Sequence, residues 1–537
     1  MSHSEMRVFR QHTRRLTRRD FFKSGSMVVP LALLSEPAAA APEPASGALR
    51  IGPDIYQSIG VRPFINGTGT LTVNGGSLEL PEVRAAMDAA AQHMVQLDEL
   101  MEGVGKRLAE LTGAEWGIVT AGCAAAMTLA TLACVAGGNP EKHIRLPNMD
   151  GLVKDEVIIP KLSRNNYDAA IRAVGVRLLE VNNAQELESA IGPRTAMIYI
   201  FAGPGADAGP PSYEEIIRIA RQKNIPVLTD AAAEVLTIPN VHLQRGSTMV
   251  AYSGGKQLRG PQCSGLLLGR KDLVTAAWIH SAPHHGFARN MKVGKEEIIG
   301  ALAAVEAWVK RDHKAVWQHW LDQLNHIAKK LSSIPGITTE VREPTGLSNR
   351  SPGLNIRWDA AKLGITGRQV SQILDTTEPR ILVGASRGAQ NGISITTFNL
   401  KPGDEKIIAD RLSAVLSAPP NLKSEESPKT PAFELTGMWD VRIEFRASTG
   451  EHSLSLQQRG NSIEGIHRGE FIARDLTGTI DGDTVQLRSS LPERAIGNAL
   501  SFTFTGKVEN ESMTGELDMG EYLKARWSAK RHRSRQG

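Results

Sequence analysis

The stretch Met249-Val-Ala-Tyr-Ser-Gly-Gly-Lys-Gln-Leu-Arg-Gly-Pro-Gln262 decides how this chain is read. Its first five residues suit a buried strand; two glycines then end the strand and present one lysine, Lys256. A second apolar run, Ser264-Gly-Leu-Leu-Leu-Gly269, follows at once. An amine desolvated between packed strands gives up its proton more readily and becomes a nucleophile. A surface lysine in a glycine turn would carry the same string, so the residues upstream have to decide.

Asp230 tips the balance. It ends the apolar run Ile225-Pro-Val-Leu-Thr-Asp230 and precedes Lys256 by 26 residues. A carboxylate at a strand end suits the pyridine nitrogen of pyridoxal 5'-phosphate, keeping it protonated and the ring an electron sink, while Lys256 forms the Schiff base. Gly122-Cys123-Ala124 opens a helix directly after the short strand Trp116-Gly-Ile-Val-Thr-Ala121. Small residues there let a phosphate reach the free N–H groups of the helix N-terminus. Ser253 offers the phosphate a further hydrogen bond, and Ala232 is small enough to pack against a ring face.

The surrounding pattern is a frame for that site. Strand-like runs at 155–159, 195–201, 225–229 and 249–253 alternate with helix-like ones, which indicates a largely parallel α/β sheet. Continuous helices are expected over 80–111 and 295–331, and a smaller α/β piece over about 336–416. The Pro/Ser/Lys-rich run 417–431 reads as a linker, after which the apolar period changes to two. About eight strands with turns at Gly460-Asn461 and Asp481-Gly-Asp483 predict a small antiparallel barrel or sandwich. Gly437-Met-Trp439 at its start resembles a lipocalin opening.

The N-terminus reads as an export signal. Arg18-Arg19 lies in a basic zone, followed by an apolar segment over 25–34 and the small residues Ala38–Ala41. The apolar run is too short to span a bilayer. Residues 1–40 carry seven Lys/Arg and three Asp/Glu, so of the formal +5 only about +1 belongs to the remainder. That balance, and a basic tail read as a solvated end, gives no reason to expect nucleic acid. At 41% hydrophobic and 22% charged the chain is globular and large enough for several cores. Its three cysteines, Cys123, Cys134 and Cys263, have no metal spacing and read as small buried thiols, with one disulfide possible after export. The expected organisation is a twin-arginine signal at 1–40, a linker at 41–58, a large cofactor-binding domain at 59–330 and a small α/β domain at 331–416. A second linker at 417–432, an antiparallel β domain at 433–530 and a basic tail at 531–537 complete it.

Phe64-Ile-Asn-Gly-Thr-Gly-Thr70, Arg164-Asn-Asn-Tyr-Asp168, Thr229-Asp-Ala-Ala-Ala-Glu234, Ser253 to Gln262 and Met291-Lys-Val-Gly-Lys295 together resemble the selenium transferase-like family. This family of fold-type I enzymes includes L-seryl-tRNA(Sec) selenium transferase and D-glucosaminate-6-phosphate ammonia-lyase. The resemblance covers about 59–416 and implies an aspartate aminotransferase-like fold, pyridoxal phosphate on Lys256, Asp230 at the pyridine nitrogen, and a homodimer or larger homo-oligomer. The export signal stands where a tRNA-binding helical domain would, which argues against the selenium transferase itself.

Substrate contacts are open. Arg380 is either a carboxylate-binding arginine of the small domain or part of a structural salt bridge. Arg259 and Lys292 would bind a phosphate or sugar acid, or sit at a subunit interface. Asn165 and Tyr167 would reach the pocket or brace it. His280, His284 and His285 read as loop or pocket histidines rather than metal ligands, and no metal is expected. The expected activity is elimination of ammonia from an amino acid or amino sugar acid, with β-replacement or transamination as the enzymatic alternatives. A ligand-binding protein on the same scaffold is the alternative outside enzymology. The expected location is periplasmic or secreted, reached through the twin-arginine machinery and without a membrane span.

Overall fold

The computed structural model describes residues 48–384, 390–420, 429–490 and 500–533. The expected signal at 1–40, part of each linker and residues 534–537 of the tail lie outside the described residues. The chain divides into two compact units, 1–63 and 64–537. In the first, the described residues include a single 3-10 turn, Gln57–Ile59, and an exposed Arg50–Asp54 ion pair at 2.8 Å.

The second unit is built around a seven-stranded sheet. Across it the strands run Trp116–Thr120, Gly265–Gly269, Met249–Ser253, Val227–Asp230, Thr195–Phe201, Glu156–Pro160 and Arg177–Val181. All neighbours are parallel except Gly265–Gly269, which is antiparallel to both strands beside it. The central strands are buried on both faces, which is why they read as continuous apolar runs rather than alternating ones. Helix Cys123–Ala136 is buried along nearly its whole length, and its sequence is apolar on every side.

The two long helices expected from apolar spacing are each broken. Residues 80–111 form Pro81–Ala91 and Leu97–Thr112, joined by an exposed segment at 92–96. Residues 295–331 form Lys295–Lys310 and His313–Leu331. At the second break Arg311 is extended, and the Asp312 carboxylate accepts the N–H groups of Lys314 and Ala315 at 3.0 Å, capping the new helix. Apolar periodicity runs through both breaks and therefore hides them.

Beyond the second break Leu324, Ile327 and Leu331 join a separate core with the helices Gly367–Thr376 and Asp404–Ser417. That core also covers an antiparallel sheet of Gly392–Thr396, Gly353–Arg357 and Thr338–Arg342. Strand Ile65–Gly67, early in the unit, pairs in parallel with Ile381–Val383.

Residues 437–490 and 501–531 form a closed eight-stranded barrel in which every strand pairs with its sequence neighbours and the last, Lys524–Arg531, pairs with the first, Gly437–Glu444. Closure makes this a barrel and not a sandwich. Burial alternates along each strand, and the inward side chains, among them Trp439, Phe504 and Trp527, fill the interior. Lys530 and Arg531 belong to the last strand rather than to a free tail; the Arg531 guanidinium stacks over Trp439 at 4.6 Å. Among the described residues no helix is long and apolar enough to cross a membrane.

Candidate active site

In a parallel sheet, loops leaving the carboxyl ends of neighbouring strands converge at one edge. Here that edge delivers Asp230 from the end of Val227–Asp230, and Lys256 from the turn after Met249–Ser253. It also delivers the start of helix Cys123–Ala136, separated from Trp116–Thr120 by two residues. Gly122 caps that helix at φ +95°, a conformation that favours glycine. The antiparallel strand brings Gly265 against the same turn, where a Cβ would lie 2.4 Å from the carbonyl carbon of Gly122. Only glycine permits that approach.

A cavity of about 1040 Å³ opens over this edge. Lys256, Asp230, Gly122, Cys123, Ala124, Ser253 and Ala232 all line it, so every residue expected to hold the cofactor is brought to one place. Tyr167 lines it as well.

Asp230 is buried and fully engaged. One carboxylate oxygen accepts the N–H of Ala232 at 3.0 Å and the thiol of Cys123 at 3.6 Å; the other accepts the Tyr199 hydroxyl at 2.9 Å. Burial raises its pKa above the usual carboxylate range, against the pull of these donors and of Lys256. Burial likewise pushes the Cys123 thiol and the Tyr199 phenol well up, with the Asp230 charge adding to both. Both therefore remain neutral donors to Asp230. A desolvated carboxylate is stabilised by a cation placed beside it, and a pyridinium N–H is such a cation.

Asn165 donates to the Tyr199 hydroxyl at 3.1 Å and so reaches Asp230 at one remove. It is held by a capping box with Asp168, a buried carboxylate bonded to Arg164 at 2.6 Å and Arg172 at 2.9 Å. The motif at 164–168 thus splits its roles: Asn165 braces, while Tyr167 faces the cavity.

Other expected residues stand elsewhere. Arg380 pairs with Asp375 at 2.8 Å, the salt-bridge alternative, and is not in the cavity lining. Arg259 takes a left-handed conformation at φ +57° and donates to the Leu78 carbonyl at 2.8 Å, tying the lysine turn to residues 78–80. Lys292 is exposed and outside the lining. His280 is buried against His143, with ring nitrogens 2.6 Å apart, and burial lowers its pKa to about 4. His284 bonds the Ser281 carbonyl and pairs with Asp98 at 3.3 Å, and the His285 carbonyl meets His143; none of the three histidines lines the cavity. All three cysteines are free, and Cys263 is exposed, contrary to the expectation of buried thiols throughout.

The sequence reading missed two participants. Tyr199 lies inside an apolar strand, where its hydroxyl carries no motif; the signal was a polar atom in the middle of the apolar run Ala196–Phe201. Among the described residues Arg342 is, with Lys256, one of two cationic side chains in the lining, and it arrives from the smaller core at the end of Thr338–Arg342.

A family model described as aminotransferase class-V matches residues 82–351, half of the chain, and includes Gly122, Tyr199, Asp230, Lys256 and Arg342. The chain belongs to the aminotransferase class-V family. Among relatives of this class-V chain, D-glucosaminate-6-phosphate ammonia lyase of Salmonella typhimurium is 29% identical over 68% of the chain and 98% of its own length. The 5'-C-glycyluridine monooxygenase-decarboxylase of a Streptomyces species is 31% identical over 67% and 92%. L-seryl-tRNA(Sec) selenium transferase of Moorella thermoacetica is 29% identical, over 47% of the chain and 57% of the transferase. A solved structure of D-glucosaminate-6-phosphate ammonia-lyase superposes with a TM-score of 0.62 at 28% identity, over 68% of this chain and 99% of that one. The class-V chain is thus a pyridoxal phosphate-dependent enzyme with an eight-stranded barrel at its C-terminal side.

Proposed function

We propose that the enzyme removes ammonia from a β-hydroxy amino acid or amino sugar acid by α,β-elimination. The observation that carries this reading is one cavity holding Lys256, Asp230 and Arg342 together. Bound pyridoxal phosphate supplies the electron sink that acidifies the substrate Cα–H. Lys256 then takes the Cα proton, as the one lysine among the described residues lining the cavity. Asp230, held by Tyr199, Cys123 and Ala232, keeps the sink protonated. Arg342 receives the substrate carboxylate through its guanidinium fork, the role considered for Arg380 from sequence alone. The substrate loses its Cα proton and its β-hydroxyl as water; water then replaces the nitrogen, leaving a keto acid and ammonia. The Salmonella relative, aligned over nearly its whole length, supports elimination over replacement or transamination.

The ordered basic, apolar and small-residue zones of 1–40 support export by the twin-arginine route. A cofactor taken up before export suits a pathway for folded proteins. A homodimer or larger homo-oligomer belongs to the same proposal.

The test is a panel of β-hydroxy amino acids and amino sugar acids, scored for keto acid and free ammonia. Equal yields of both are expected for at least one substrate, with KM raised about tenfold or more in Arg342→Gln, the cost of a charge-assisted contact. Keto acid formed without ammonia, and only when an acceptor keto acid is added, would identify transamination instead.

A further inference from the structure

Beside the cofactor cavity lies a second one of about 1090 Å³, with Gln257, Glu343 and Pro344 lining both. Arg311, at the helix break, lines the second cavity together with Trp308, Trp317 and Trp320. Trp320 packs 5.5 Å from Phe398, a residue of the cofactor cavity, so the two spaces share an aromatic partition.

The charges in this second cavity do not balance. Among the described residues Arg311, Lys314 and Arg350 line it with a single carboxylate, Glu343, which already accepts the Trp317 indole N–H at 2.7 Å. Arg311 is the telling residue. Its Nη2 is completely buried and has no hydrogen-bond partner among the described residues, while its guanidinium sits 5.0 Å from the Trp308 ring. A second guanidinium, Arg259, acts on it repulsively, and Glu82 offsets this only in part. Nη2 itself is sealed from the cavity, but Arg311 lines it, and a guanidinium left short of acceptors is costly, so an acceptor offered from the cavity to the rest of its fork would offset part of that cost. The ring walls and the buried cation together suit a small molecule with an apolar or sugar body and one anionic end.

We propose that this cavity is a second small-molecule site, in which Arg311 binds a phosphate or carboxylate and Trp308 and Trp317 flank the body that carries it. The inference holds whichever bond the enzyme breaks. The anion is either the far end of a long substrate or a separate effector, and the common wall at Gln257 and Glu343 allows the two to be told apart.

The experiment is calorimetric titration of the holoenzyme, whose phosphate cup is already filled, with inorganic phosphate, gluconate and 6-phosphogluconate. Wild type, Arg311→Gln and Arg311→Lys are compared, with the absorbance of the bound cofactor and the mass of the assembly recorded alongside. At least one anion is expected to bind at one per chain, at least about tenfold more weakly in Arg311→Gln, and to be largely retained in Arg311→Lys. A change in cofactor absorbance on binding assigns the anion to the far end of the substrate; an unchanged spectrum assigns it to an effector. Three results overturn the proposal: no binding to wild type, equal binding to wild type and Arg311→Gln, or an Arg311→Gln protein that changes oligomeric state, which would make Arg311 a contact between copies.

Discussion

In the seven-stranded sheet the polar groups gather at one edge over a cavity, whereas in the barrel His452, His467 and Ser489 are bonded to one another in an interior that is otherwise apolar and filled. Parallel strands send their loops to a common end, so Lys256, Asp230 and Gly122, far apart in sequence, meet over a cavity. Antiparallel barrel strands turn every second residue inward, and here those residues fill the space with Trp439, Phe504, Trp527 and their neighbours. Each region holds a histidine pair, the buried His143–His280 in one and the buried His467 with the half-buried His452 in the other. Neither pair lies in the cofactor cavity. The contrast teaches that buried polarity alone does not mark an active site. What marks it is a buried charge, Asp230, with room left beside it for a counter-charge.

The sharpest way to break this comparison is to empty the barrel. Trp439→Ala removes a fully buried indole and should cost about 3–5 kcal/mol of barrel stability. The barrel and the sheet have separate hydrophobic cores, so the thermal loss of cofactor absorbance should stay in place while a barrel-derived transition moves down. If both move together, the two regions are one cooperative unit.

Asp230→Asn tests the other side. It retains the shape and removes the charge, so cofactor should still bind while kcat falls about 10²–10³-fold, roughly 3 kcal/mol of barrier. Near-normal turnover would mean that the buried carboxylate is structural, like the histidine pairs.

The smallest effect, down to about pH 5.5, is in acid. Burial lowers His280 to about 4 and His467 to about 3, from an ordinary 6.5. With folded values depressed, the unfolded chain binds more protons below 6.5, so stability is complete above that pH and falls as pH drops through it. Each group should cost about 1.4 kcal/mol by pH 5.5. Below about pH 4 the His280 contribution levels off while that of His467 continues to grow. Melting curves from pH 7 to 3.5 check both slopes; flat stability between 6.5 and 5 would mean that these imidazoles are not held neutral.

Much of this arrangement was legible in the sequence, for physical reasons. Strands buried on both faces read as apolar runs, and barrel strands read as a period of two, so both sheets could be recognised. Lys256 and Asp230 were legible because each ends such a run with a residue that apolar burial alone does not explain. Arg342 was not, since it reaches the cavity through the fold of the smaller core and no local pattern sets it apart. Arg380 drew attention by its position near the end of the chain's α/β part, yet Asp375, five residues before it, takes its guanidinium. The helix break at Arg311 was masked by continuous apolar spacing, although the Asp312 cap was there to be read.

The account rests on Lys256 being the amine that holds the cofactor at the edge where Asp230 waits. Borohydride reduction of the full-length holoenzyme, followed by proteolysis and mass mapping of the cofactor-bearing peptide, tests this directly. The label should fall on Lys256 alone, and Lys256→Ala should take up none while remaining folded. A labelled peptide from any other lysine, or a Lys256→Ala protein that still retains reduced cofactor covalently, would contradict it.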